Sequence, residues 1–162
     1  MRNFEVVALS RQAVAAIREQ RVDAYGHAVM EQTATGAGPC RVSLQPFRKG
    51  IDKRLVFSYS PFEQANAYDQ PGPVFINAED VAPYSDIRRF PPEIKADKKR
   101  FPLTLIGYSK DQQMVHSQLV GDQDVEDLIE ALFASKTAID YLHVRNAEAC
   151  CYICRINRIV SE

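Results

Sequence analysis

Apolar residues in this chain recur mostly at a spacing of two, in short runs punctuated by Gly, Pro, Asn and Asp. That period predicts strands with one face turned inward. The runs are Phe4–Leu9, Cys40–Leu44, Arg54–Tyr59, Val74–Asn77, Phe101–Tyr108, Met114–Val120, Ile139–Arg145 and Cys150–Ile156. In Arg54–Tyr59, Leu55, Phe57 and Tyr59 alternate with Val56 and Ser58, and Pro71-Gly72-Pro73 launches the run after it. The last four runs pair as two hairpins, closed by Ser109–Gln112 and by Asn146–Ala149. Two stretches keep the helical period instead. Ser10 is placed to cap a helix through Arg21, with Ala13, Val14 and Ile17 inward. Asp122 or Asp124 caps a second helix, whose Val125, Leu128, Ile129, Leu132 and Phe133 form one stripe. Residues 23–38 are ambiguous between helix and loop, and 81–100 read as irregular. The sum is an α+β fold: a largely antiparallel sheet of about eight strands, two main helices packed on one face, and one domain over residues 1–162.

The C-terminal hairpin concentrates the chemistry. With Asn146–Ala149 as its loop, Arg145 faces Cys150, His143 faces Tyr152 and Tyr141 faces Cys154. Leu142, Val144, Cys151 and Ile153 then share the other face, with Asp140 opposite Arg155. This register separates an apolar face from a polar one that points away from the hydrocarbon interior; a slip of one residue would lose that separation. The pair Cys151 and Cys154 spells C-x-x-C, but positions three apart on a strand point to opposite faces, and no second such pair exists. No metal site and no cofactor are therefore expected.

Composition narrows the picture further. The formal net charge of −1 over 162 residues supplies no field for nucleic acid or an anionic membrane surface. No run approaches membrane-spanning length, and the apolar stretch near the N-terminus is short for a signal peptide. A cytoplasmic protein with reduced thiols is the expectation. The basic run Lys95–Arg100 contains Asp97 and reads as a solvated loop. A glycine-rich phosphate loop, a G-x-S-x-G elbow, an H-E-x-x-H pair and an EF-hand are all missing from the sequence.

Three stretches, Gly38–Leu44, Pro71–Glu79 and Asp140–Asn146 with Ala149–Arg158, together resemble a bacterial family known as domain of unknown function 1203. The resemblance runs over nearly the whole chain and is most specific in the last stretch. It implies a single bacterial domain and carries over no catalytic residue. The pattern it resembles favours histidine at Asn77, cysteine near Asp80 and glycine at Cys150, so this chain lacks two potential ligands, and Cys150 is incidental.

Three functions follow from the residues. The first is a pocket for a small polar or anionic ligand, with Tyr141, His143, Arg145 and Asn146 from the hairpin and Cys40, Arg41 and Asn77 from neighbouring strands. Arginine offers a planar fork for carboxylate or phosphate, and His and Asn orient it. The second is a thiol enzyme in which Cys40 or Cys151 is the nucleophile and His143 its base. The third is a non-catalytic interaction module, a homodimer formed through an exposed strand edge or through the proline-rich segment Val81–Pro92.

Overall fold

Both periods recur in a computed structural model, which describes residues 2–160. The elements in chain order are β1 (Phe4–Val7), α1 (Arg11–Gln20), β2 (Met30–Thr33), β3 (Lys53–Tyr59), β4 (Gly72–Asn77), α2 (Pro92–Ala96), β5 (Leu103–Tyr108), β6 (Met114–Leu119), α3 (Val125–Ser135), β7 (Tyr141–Asn146) and β8 (Tyr152–Arg158). The fold is α+β. Its eight strands divide between a five-stranded sheet, ordered β1-β8-β7-β5-β6, and a three-stranded sheet, ordered β2-β3-β4. Every pairing between these strands is antiparallel. The chain gathers into two compact units: the residues up to Val7 with those from Ser85 onward, and Ala8–Tyr84.

The first unit is built on the five-stranded sheet. Strand alternation puts Val6, Ile156, Cys154, Leu142, Val144 and Leu105 on one face, and all are buried. Gly107 lies in the same row, where a Cβ would come within 2.9 Å of the Ile139 side chain, so the close approach requires glycine. The predicted stripe of α3 is buried at all five positions. Asp124 caps that helix by accepting the Asp127 amide at 3.0 Å, while Glu126 and Asp127 complement the dipole of its first turn.

The second unit holds α1 and the three-stranded sheet. Ser10 caps α1 by accepting the Ala13 amide at 3.0 Å, and Arg21 closes it in the left-handed region. Leu55 and Phe57 are buried on β3, as the alternation predicts. Two expectations fail here. Cys40–Leu44 is a tight turn and not a strand: the Leu44 amide donates to the Cys40 carbonyl at 2.8 Å, the Cys40 amide to the Gln45 carbonyl at 3.0 Å, and Leu44 has φ 54°. Its apolar residues are buried, so period two arose from a compact turn pressed into the core. The eighth strand is β2, in the stretch read as ambiguous, whose residues Met-Glu-Gln-Thr give no apolar alternation. The irregular region also contains one short helix, α2.

Candidate functional site

β7 lies in the middle of the five-stranded sheet and is buried on both faces. Leu142 and Val144 are wholly buried on the apolar face described above. Tyr141, His143 and Arg145 share the other face, as the alternation requires, and they too are buried, at 4%, 0% and 5% exposure. The three polar groups do project together, but into packed surroundings.

The hairpin register differs from the expected one. The loop is Ala147–Cys150, because Asn146 pairs with Cys151: its amide donates to the Cys151 carbonyl at 2.9 Å. Arg145 then faces Tyr152, and a bulge moves the register again, so that Val144 faces Cys154, His143 faces Arg155 and Tyr141 faces Asn157. The shift is two residues at the turn and three beyond the bulge. An odd shift exchanges the two faces of a strand. Cys154 therefore joins Val144 on the apolar face, away from His143. Arg155 joins the His143 face, and Asp140 does not oppose it.

The result is an aromatic cluster threaded with cationic groups. Tyr108 stacks on Tyr141 at 5.5 Å between ring centroids and meets His143 at 4.8 Å, while Tyr152 meets His143 edge-on at 5.2 Å. The Arg155 guanidinium lies 3.8 Å from the Tyr141 ring centroid, a cation–π arrangement. Its Nε donates to Asn157 Oδ1 at 2.6 Å. Arg145 donates from Nη1 to the Cys150 carbonyl at 2.9 Å, which ties the turn to the cluster. Burial lowers the pKa of His143 from 6.5 to about 3, with the charges of Arg145 and Arg155 acting in the same direction. At neutral pH the imidazole is uncharged, and the two guanidinium groups carry the positive charge of this face.

The remaining predicted residues are placed as follows. Asn146 turns its Oδ1 onto the amides of Glu148 and Ala149, at 2.9 and 2.8 Å, so its side chain shapes the loop. Cys40, Arg41 and Asn77 belong to the second unit. Arg41 is fully buried: its amide donates to the Phe75 carbonyl at 2.9 Å, and its Nη1 donates to the Pro39 carbonyl. Asn77 ends β4, and its carbonyl accepts from Arg18 at 3.0 Å. Cys40 is buried and Cys151 half-buried, and neither forms a disulfide. Among the described residues, no group of three or more His, Cys, Asp and Glu side chains is placed to hold a metal ion.

Sequence reasoning missed Tyr108 and Arg155 as members of this cluster. One signal was available for the register at the turn, though not for the bulge that brings Arg155 to this face. Cys150 has φ 66°, the left-handed value that glycine adopts without cost, and the resembled pattern favours glycine there. Placing that residue inside the loop, and not at the head of a strand, moves the register in the observed direction.

A family described as "Protein of unknown function (DUF1203)" matches residues 37–158. The chain belongs to the DUF1203 family. The match takes in β3 to β8, and so the whole aromatic and basic cluster of this DUF1203 member. No curated protein and no solved structure matches the chain.

Proposed function

We propose that this DUF1203 protein binds a small anionic ligand at the Arg155 side of the aromatic face, with Arg145, His143 and Tyr141 beneath. The observation that carries the reading is the state of Arg155. This guanidinium is half-buried, held over the Tyr141 ring, and fixed through Nε alone; its two terminal nitrogens make no hydrogen bond or ion pair to a described residue. A planar fork held in that way is preorganised for a carboxylate or phosphate. A histidine near pKa 3 is a weak base at neutral pH and hydrogen-bonds as a neutral group, which favours binding over thiol activation. Calorimetric titration with phosphate and with succinate at low ionic strength tests the reading. Wild type is expected to bind one of them saturably, and Arg155→Gln to weaken that affinity about tenfold. Equal affinity in both proteins, or no heat from either anion, overturns it.

A second reading, self-association, rests on β6. This strand is an edge of its sheet, its six residues include no Lys, Arg, Asp, Glu or Pro, and Val115 and Leu119 are exposed. Edge strands are ordinarily protected by charges or proline. The Val120 amide bonds to the Leu103 carbonyl, so alternation turns the backbone groups of Leu119 and Ser117 away from β5. A two-fold axis at Ser117 would set Leu119 against Val115 of the partner subunit. Light scattering is expected to give a dimer for wild type and a monomer for Ser117→Pro. A monomeric wild type at high concentration removes this reading.

A further inference from the structure

In the second unit, β3 alternation carries Phe57 and Tyr59 on one face, and Pro61 turns the chain so that Phe62 returns beside them. Tyr25 comes from the turn between Val22 and Ala28, which pair as an isolated bridge. These four aromatic side chains line one cavity of 310 Å³, whose floor includes Ala13 and Ile17 of α1. No lysine and no arginine lines it.

Directly behind the aromatic wall is a buried carboxylate. Asp23 accepts the Ser58 amide at 2.9 Å, the Tyr25 amide at 2.9 Å, and the His27 amide and ring at 3.0 and 3.1 Å. Ser58 and Tyr25 are themselves cavity-lining residues, so the negative charge stands one peptide group from the space. Burial pushes the Asp23 pKa up, but the amides of Ser58, His27 and Tyr25 and the His27 ring outweigh it and hold it at about 2. A second carboxylate, Asp69, accepts the hydroxyl of Ser60, another lining residue.

We propose that this cavity is a binding site for an organic cation of the alkylated ammonium class. Ring faces carry negative quadrupole potential, and the Asp23 charge behind them adds to it. The lining is largely hydrocarbon, its side-chain acceptors are the neutral hydroxyls of Tyr25, Ser58, Tyr59 and Ser60, and no carboxylate lines it, which disfavours a strongly hydrated primary ammonium with three N–H donors to satisfy. A methylated ammonium has no such demand. An anion would meet Asp23, and an uncharged group of the same shape would forgo the electrostatic part of the binding. The volume lies at the small end of ligand cavities, right for a headgroup with a short tail and too small for a lipid chain. The site uses no residue of the basic cluster on the five-stranded sheet, so either proposal can fail alone.

The test compares choline with 3,3-dimethylbutan-1-ol, its uncharged isostere, by calorimetry and by tyrosine fluorescence, which no tryptophan obscures. Choline is expected to bind saturably and at least about tenfold more tightly than the isostere. Tyr25 is exposed, so Tyr25→Leu preserves the fold; it is expected to weaken choline about tenfold, while Tyr25→Phe stays near wild type. An unchanged melting temperature for both variants separates loss of binding from loss of folding. Equal affinity for the isostere, no saturation below about 50 mM choline, or an unchanged Tyr25→Leu each overturns the proposal.

Discussion

The two units each gather aromatic rings around or before a titratable side chain, and they give those clusters opposite signs. On the five-stranded sheet, Tyr108, Tyr141 and Tyr152 surround a neutral imidazole flanked by two guanidiniums. In the three-stranded unit, Tyr25 and Tyr59 stand before an ionised carboxylate. The difference lies in hydrogen bonding more than in burial. Asp23 is buried and yet charged, because three backbone amides and a ring nitrogen point at it. His143 is neutral because burial strips the imidazolium of water, and the like charges of Arg145 and Arg155 add to that. Burial disfavours the charged form of both groups; it prevails at His143 and is overruled at Asp23 by the dipoles that point at the carboxylate.

The contrast has a pH signature, and it carries the largest expected effect. His143 has its pKa depressed on folding, so the unfolded chain binds the extra proton. The stability it contributes is complete above 6.5 and is lost as pH falls toward 3, by up to about 4 kcal/mol. Urea midpoints measured across that range should fall steeply for wild type and much less for His143→Phe, which keeps a ring in the cluster. Asp23 is depressed too, but from 3.8 to about 2, so its contribution disappears only in that lower window. Wild type losing all its acid stability below 3.8 would break the comparison.

Next in size is Asp23→Ala. Four donors lose one acceptor, with an expected loss of about 3 kcal/mol at neutral pH, read from the urea midpoint. Asp23→Asn should recover part of that, since its single carbonyl oxygen can serve some of the donors. Smallest is Cys150→Gly, expected to stabilise by about 1 kcal/mol, because at φ 66° the Cys150 Cβ is crowded and glycine has none. A destabilised Cys150→Gly would contradict the loop that sets the β8 register at the turn.

How much of this was legible in the sequence depends on what each signal encodes. The caps at Ser10 and Asp124 and the stripe of α3 were readable because helix periodicity and capping are local. The hairpin of β5 and β6 was found for the same reason: its turn is short and polar, between two runs of strand-forming residues. The β7–β8 hairpin was located, and the shared face of Tyr141, His143 and Arg145 was right. Its register was not, since a four-residue loop can begin at Asn146 or at Ala147, and the one-residue bulge leaves no compositional mark. β2 was invisible, its strand held by pairing with β3 and not by apolar alternation. The aromatic cavity was half-visible as the Leu55, Phe57, Tyr59 stripe, but Asp23 reaches Ser58 over 35 residues, a distance no local pattern spans.

The central claim is that the His143 ring lies uncharged in a positively charged aromatic surround. Its most direct test is an NMR titration of the His143 ring carbon in the folded protein, assigned by the His143→Phe variant. The account predicts that this resonance stays at its neutral position as pH is lowered through 6.5 and moves only near 3, or with unfolding. A midpoint between 6 and 7 with the fold intact would contradict it.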